Sequence, residues 1–148
     1  MPQFTDTDHF LDRMAEAEAQ ARQGWANMCQ NYTKIDEVAS TAVLRDPAAE
    51  RLELVAKLMW YERILEAAFA SCTPDQVVLW WLLRARRMTR NQAVRSGLCP
   101  YSRRFMQGDR CQARLDELDQ LLLDELSRRR LLSYARPTKE DPTDDEAT

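Results

Sequence analysis

The chain has 148 residues but only three glycines, one histidine and no long apolar run. So little glycine argues against a sheet with many tight turns, because such turns need glycine's positive φ. The longest apolar run covers residues 77–83, far short of the roughly 20 residues that cross a bilayer. The N-terminus has no basic stretch followed by an apolar one, so no signal peptide is predicted. We therefore expect a cytoplasmic protein with no membrane partner.

The chain also lacks the side-chain sets that metals and catalysis use. Its four cysteines, at positions 29, 72, 99 and 111, form no CxxC pair, and its one histidine is His9. A zinc site needs clustered ligands, so we predict no metal and no cofactor, and expect reduced, partly buried thiols. Catalysis commonly uses a histidine base, paired carboxylates or a phosphate-binding glycine loop, and none is recognisable. The sequence therefore predicts that the protein is not an enzyme and that His9 is exposed to solvent.

Arginine, by contrast, is concentrated in one segment. The net charge of the whole chain is −3, but residues 84–114 hold nine arginines against a single acid, Asp109. The flanking segments, 1–83 and 115–148, are both acidic. Because guanidinium groups offer planar paired donors to phosphates and guanine edges, this arginine-rich segment (84–114) predicts an anion-binding surface. The alternative is a solvated surface paired with acids of the flanking helices, and composition does not separate the two.

Helix-start signals and apolar spacing predict an all-α helical bundle. Proline follows a capping residue at Asp46-Pro47 and again at Thr73-Pro74, which is typical of a first helical turn. We predict an N-terminal helical segment (1–46), a helical domain (47–135) and a disordered acidic tail (136–148). The first helix should bend or end near Gly24. The predicted helices cover residues 5–32, 34–44, 47–71, 74 onward, 88–96 and 100–126.

Two apolar patterns identify the core. The run Val77–Leu83, with Trp80 and Trp81, would place apolar surface all around a helix. We predict the central buried helix there, with a buried strand as the competing interpretation. In the last helix, Leu115–Leu126 forms an apolar seam that we interpret as intramolecular packing, a homodimer interface being the open alternative. Phe105 and Cys111 should face inward with it.

Residues 74–126 have the layout of a trihelical helix-turn-helix unit. In that motif a small residue lies where two helices cross, a glycine four residues later reverses the chain, and an apolar residue follows it into the core. Ala93, Gly97 and Leu98 have this spacing. The next helix would present five residues to a DNA groove: Tyr101, Ser102, Arg103, Arg104 and Gln107. The flanking arginines expected to bind phosphates are Arg84, Arg86, Arg87, Arg90 and Arg95.

The pattern extends along the chain through Gln76–Trp81, then Thr89, Ala93, Gly97 and Leu98, then Ala113–Leu118. Over roughly residues 48–126 it resembles bacteriophage late-gene regulators of the ArpU/RinA type and some antiterminator Q proteins, whose helix-turn-helix is similar to sigma-factor region 4. The resemblance implies that Tyr101–Gln107 read the major groove. It also implies transcription regulation or antitermination in a bacterial host cell, with RNA polymerase or a sigma factor as a partner.

Two functions follow from these patterns. The first is a sequence-specific regulator that binds double-stranded DNA, of phage or prophage origin. The second is a helical adaptor that binds another protein, such as RNA polymerase, through its acidic N-terminal part or its tail. The salt dependence of DNA binding separates the two, because only the first neutralises phosphates.

Overall fold

The computed structural model describes residues 2–38 and 47–133. Within these ranges the backbone contains no strand, only an isolated bridge between Phe4 and Leu132. The protein is therefore all-α, as predicted. No helix in the described part of the chain is long and apolar enough to cross a membrane. The helices are α1 (Thr7–Val38), α2 (Pro47–Ala68), α3 (Pro74–Trp80, continued by a π-helical turn, Trp81–Ala85), α4 (Arg90–Arg95), α5 (Arg103–Met106) and α6 (Asp109–Arg128).

The predicted helix starts at proline are confirmed, because α2 begins at Pro47 and α3 at Pro74. Thr73 caps α3: its hydroxyl accepts from the Gln76 N–H, and the Gln76 side chain accepts from the Thr73 N–H. The first helix does not end near Gly24 but continues to Val38. The predicted tail at 136–148 and the predicted boundaries near residues 46 and 135 lie outside the described residues.

The chain divides into two compact units, Met1–Leu11 with Ile64–Thr148, and Asp12–Arg63. In the Asp12–Arg63 unit, Lys57 Nζ donates to Gln20 Oε1 over 3.2 Å, and Arg13 hydrogen-bonds the side chain of Tyr61. These contacts occur in opposite order along α1 and α2, so the two helices run antiparallel. Among the described side chains of this unit, Met14, Ala17, Ala21 and Tyr61 are buried.

A fully buried tryptophan lies in the core of the larger unit. Trp80 packs edge-on against Phe69 with ring centroids 4.9 Å apart, and its Nε1–H donates to Asp119 Oδ1 over 2.8 Å. Asp119 Oδ2 in turn accepts from Arg84 Nε over 3.0 Å, so one carboxylate ties the end of α3 to α6. The prediction of a buried helix is confirmed for Trp80, whereas Trp81 is only half-buried.

The predicted apolar seam of α6 is buried within the chain. Its members, Cys111, Leu115, Leu118, Leu122 and Leu126, have at most 3% of their surface exposed. The interpretation as intramolecular packing is therefore confirmed, and a homodimer would need another surface.

The cysteines agree with the expectation of partly buried free thiols where the structure describes them. Cys72, Cys99 and Cys111 are all free, and Cys29 lies outside the described side chains. Burial raises the pKa of Cys72 and of Cys111. Both therefore stay protonated at neutral pH and are poor nucleophiles.

The N-terminus closes over the segment that follows α6. The Phe4 N–H donates to the Leu131 carbonyl and the Ser133 N–H donates to the Phe4 carbonyl, each over 2.7 Å. The Phe4 ring is completely buried, edge-on to Phe10 at 5.1 Å. His9 also packs here, with its ring 5.7 Å from that of Phe4, so the prediction of an exposed histidine is wrong.

Candidate nucleic-acid interface

The short helix α4 forms as its sequence predicts. Thr89 accepts a hydrogen bond from the Gln92 N–H over 3.1 Å, and the Gln92 side chain accepts one from the Thr89 N–H over 2.9 Å. This reciprocal capping box fixes where α4 begins, although the helix has only six residues. Ala93 is completely buried, which is consistent with a small residue at a close helix crossing.

The turn after α4 uses the predicted glycine but not the predicted apolar contact. Gly97 has φ +75°, which a residue with a side chain adopts only with strain. Ser96 Oγ donates to the Ala93 carbonyl over 2.6 Å and accepts from the Leu98 N–H over 3.1 Å, so the turn is tied locally. Leu98 is 64% exposed, and the prediction that it enters the core is wrong.

The residue that enters the core after this turn is Met106, which has no exposed surface. Pro100 cannot donate a backbone hydrogen bond, and no helix begins until Arg103. The chain therefore continues past Leu98 without regular structure, and the next apolar residues to pack are at the end of α5.

The predicted single helix over residues 100–126 is wrong, because it is broken into α5 and α6. Ser102 Oγ caps α5 by accepting from the Phe105 N–H over 3.2 Å, and α5 ends at Met106 after one turn. Gly108, in extended backbone, then begins α6 with no side-chain cap. Glycine has a low helix propensity, which favours a break at this position.

Arg90 stabilises the break. Its Nη1 donates to the carbonyls of Met106 and Gly108, each over 3.3 Å, and its Nη2 donates to Gln112 Oε1 over 3.3 Å. In a continuous helix the Met106 carbonyl would instead accept from the N–H four residues later. Arg90, which we predicted to bind phosphate, is thus engaged within the chain and positions α5 against α6.

Two further arginines of the segment have acid partners. Arg84, expected to bind phosphate, lies 2.9 Å from Asp119 and 3.5 Å from Asp116. Arg114 lies 3.1 Å from Glu117. The Arg84 pairs agree with the alternative interpretation, in which arginines pair with acids of a flanking helix, whereas the Arg114 pair lies within α6 itself.

The other predicted arginines are exposed. Arg86 lies over the ring of Trp81, 5.7 Å from its centroid. Arg87 follows it with φ 56°, an uncommon conformation for a residue with a side chain. Arg95 is in the last turn of α4, and Arg103 and Arg104 form the first turn of α5. In the described part of the chain, no ion pair is formed by Arg95, Arg103, Arg104 or Arg110.

Some of these side chains surround one open cavity of about 540 Å³. Its lining residues are Ser102, Arg104, Phe105, Gly108 and Arg110. The break at Gly108 is what brings Arg110, in the first turn of α6, to the same cavity as Arg104. Arg110 was not among the predicted site residues because one continuous helix was predicted over residues 100–126. Gly108 was the local signal in the sequence for a break in that helix.

Two aromatic side chains complete the site. The rings of Tyr101 and Phe105 stack with centroids 4.4 Å apart and an angle of 20° between planes. Both are half-buried, so Phe105 does not face inward as fully as predicted. Burial raises the pKa of Tyr101, so its phenol is neutral at physiological pH and does not repel an anion. Gln107, the last predicted groove residue, is exposed at the end of α5.

The predicted site residues thus separate into two groups. Arg103, Arg104 and Gln107 are exposed on or beside α5, and Ser102 lies at the cavity, whereas Arg90 is used inside the fold. Comparison of the chain with protein-family models, with curated proteins and with solved structures finds no match.

Proposed function

We propose that the protein binds double-stranded DNA through the surface around α5, and that it acts as a transcription regulator. One observation carries the proposal: Arg103, Arg104 and Arg110 lie around or beside one cavity with no acid partner among the described residues. Asp109, the acid between the lining residues Gly108 and Arg110, forms no ion pair with any of these arginines in the described chain. Asp116 and Asp119 pair with Arg84. A positive surface left without internal partners is what phosphate binding requires.

The exposed arginines divide between two roles in this proposal. Arg95, at the end of α4, and Arg86 fit contacts to backbone phosphates, which position a protein on DNA without reading its sequence. Arg103, in the first turn of α5, and Gln107, just after it, fit contacts to base edges, since arginine pairs with guanine and glutamine with adenine in the major groove. Because α5 has only four residues, few side chains are available for base reading.

The biological setting is a finer proposal. Regulation or antitermination of phage late genes, in the cytoplasm of a bacterial host and with RNA polymerase or a sigma factor as partner, is supported by the residue pattern over 76–118 alone. We keep it because the capping box of α4 and the positive φ of Gly97 are features that a helix-turn-helix uses.

Fluorescence anisotropy with a labelled duplex of random sequence tests DNA binding. The affinity of the intact chain should fall between about 50 and 200 mM salt, with a logarithmic slope of about −0.9 for each phosphate neutralised. Arg104→Ala and Arg110→Ala, at the cavity, should each make the slope shallower by about one unit, because each removes one phosphate contact.

Arg63→Ala is the matched control, since Arg63 is an exposed arginine of α2 in the other unit. It should bind as the unaltered chain does. The proposal fails if the unaltered chain does not bind the duplex at low salt, or if Arg63→Ala weakens binding as much as Arg104→Ala does.

A second candidate function is protein binding, which two exposed apolar side chains of α2 favour. Leu52 is 66% exposed and Met59 is 43% exposed. They are seven residues apart and therefore lie on one side of the helix, where a partner helix could pack. Binding of RNA polymerase that Leu52→Ser abolishes and that salt leaves unchanged would favour this adaptor function over the first.

A further inference from the structure

An aromatic ring lies in the wall of the basic cavity, where phosphate binding alone does not need one. Phe105 lines this cavity together with Arg104 and Arg110, and its ring also stacks on that of Tyr101. Within the described chain neither arginine has an acid partner, so the cavity combines a π surface with two available cations.

A closed duplex makes poor use of such a ring. In a duplex the flat faces of the bases are covered by their neighbours, and proteins read base edges and phosphates. An unpaired base exposes its face, and proteins that bind unpaired strands stack bases on aromatic side chains beside a basic groove. The Tyr101–Phe105 pair, with centroids 4.4 Å apart and 20° between planes, shows that the Phe105 ring already makes a stacked contact of this kind.

The size and the polar groups of the cavity fit a nucleotide. Its volume of about 540 Å³ lies within the roughly 300–1,000 Å³ range of small-ligand sites. Ser102 Oγ uses an acceptor position toward the Phe105 N–H and keeps its hydroxyl proton to donate to a base or a phosphate. Arg95 and Arg103 lie on the adjoining elements, α4 and α5, and are available to the neighbouring phosphates of a strand.

We infer that this cavity takes one unpaired nucleotide of a DNA strand, with its base stacked on Phe105 and its phosphate held by Arg104 and Arg110. The inference rests on the proposed function, because the same arginines bind phosphate in both. The ligand of the cavity is then locally unpaired DNA, such as a bulge, a melted promoter or a single strand, rather than a closed duplex. Arg90 is a positioning residue for this site, since it holds α5 against the start of α6.

The test compares three labelled DNAs of one sequence: a closed duplex, the duplex with one bulged base, and the single strand. The intact chain should bind the bulged and single-stranded forms about tenfold more tightly than the duplex, as expected for one stacked base. Phe105→Leu should remove this preference, so that the three DNAs bind with affinities within about twofold of one another. Arg104→Ala should weaken binding to all three, so failure of the inference and failure of the proposed function give different results.

A second readout does not depend on affinity. With 2-aminopurine as the bulged base, stacking on Phe105 should quench its fluorescence at saturation. Phe105→Tyr, which keeps the ring, should quench as the intact chain does, and Phe105→Leu should not. Circular dichroism and the urea midpoint of each variant verify its folding. If Phe105→Leu does not fold, quenching by the intact chain and by Phe105→Tyr decides the question.

Free dAMP at millimolar concentration distinguishes a strand from a mononucleotide as ligand. It should displace bulged DNA weakly, because it lacks the flanking phosphates. If dAMP displaced bulged DNA at concentrations as low as those at which the single strand does, the inference would be overturned in favour of a mononucleotide site. Equal affinity for duplex, bulge and single strand, or unquenched 2-aminopurine in the intact chain, would overturn it in favour of duplex DNA.

Discussion

Arginine is used in opposite ways in two regions of the larger unit. Where α3 meets α6, Arg84 is about a quarter exposed and bonds Asp119, which also accepts the buried Trp80 indole N–H. Around α5, Arg103 and Arg104 are exposed and have no acid partner among the described residues. The first arrangement joins two helices, whereas the second leaves positive charge on a surface.

The difference identifies which arginines are free for a ligand. Like charges close together repel, and a fold gains nothing from them unless something else neutralises them. Around α3 and α6 the chain supplies its own acids, while in the described chain around α5 Arg90 bonds two backbone carbonyls and Gln112, and Arg103 and Arg104 have no acid partner. We therefore expect changes in the first region to alter stability and changes in the second to alter binding.

The largest stability effect should come from the closure by the N-terminus. Phe4→Ala removes a completely buried ring that packs on Phe10, and should lower the free energy of unfolding by about 3–5 kcal/mol. Urea denaturation measures the change. Leu98→Ala, which truncates an exposed apolar residue beside α5, is the comparison and should change it by less than about 0.5 kcal/mol. If both variants lost a similar free energy of unfolding, the surface beside α5 would be as important for stability as the buried closure around Phe4.

Arg84 and Arg104 differ in burial and in partners, so truncating each should have a different effect on stability. Arg84→Ala breaks a partly buried bond to Asp119 and should lower the free energy of unfolding by about 2 kcal/mol. Arg104→Ala removes an exposed side chain and should change it by less than about 0.5 kcal/mol. Thermal denaturation of both variants under one condition checks the order. If Arg104→Ala were the more destabilising, the Arg104 side chain would make a contact that stabilises α5 and that the structure does not show.

At the end of α6 we expect a substitution that stabilises the protein, by less than the losses above. Arg130 has φ 61°, and the Leu131 N–H donates to the Leu126 carbonyl in the arrangement that usually places glycine at this position. Arg130→Gly should therefore raise the free energy of unfolding by about 0.5–1 kcal/mol. Arg130→Ala keeps the strain and should not. Stabilisation by alanine as well would show that loss of charge, rather than relief of strain, is the cause.

The smallest effect that we expect is the loss of the Glu125 contribution to stability at acidic pH. Hydrogen bonds from Arg128 and Arg129 lower the pKa of Glu125, despite an opposing contribution from burial. Because the folded-state pKa is below the unfolded value, this contribution is present above about pH 4.5 and is lost as pH falls through the folded value. Arg128 is exposed and Arg129 is about a third exposed, so solvent screens both bonds and we expect a small effect.

Denaturation midpoints measured between neutral pH and about pH 3 check this, since that range spans the ordinary carboxyl values. Glu125→Gln should start lower at neutral pH and lose less stability on acidification than the intact chain does. An unchanged slope in the variant would mean that other carboxylates account for the acid response.

Local signals predicted most of the fold. Thr73-Pro74 and Thr89 with Gln92 fix two helix starts through contacts three residues apart, and the leucine spacing of α6 predicts its buried side. The break at Gly108 was missed although the glycine is its local signal, and the side chain that stabilises the break comes from a distant residue. Arg90 bonds carbonyls 16 and 18 residues away, and periodicity carries no signal for such a contact.

The candidate site shows the same limit. Composition indicated an arginine-rich segment but could not separate Arg84, whose partner is 35 residues away, from Arg104, which has none among the described residues. Arg110 lines the cavity only because the helix is broken at Gly108. Pairing across the fold, rather than residue type, decides which arginines remain available.

Hydrogen–deuterium exchange of the intact chain with and without bulged DNA locates the surface that DNA covers. We expect slower exchange in the presence of DNA over 95–112, which covers the end of α4, all of α5 and the first turn of α6. We expect no change in the described part of α2 or at the closure around Phe4 and Leu131. Protection of α2 instead, around the exposed Leu52 and Met59, or no protection anywhere, would contradict DNA binding at the surface around α5.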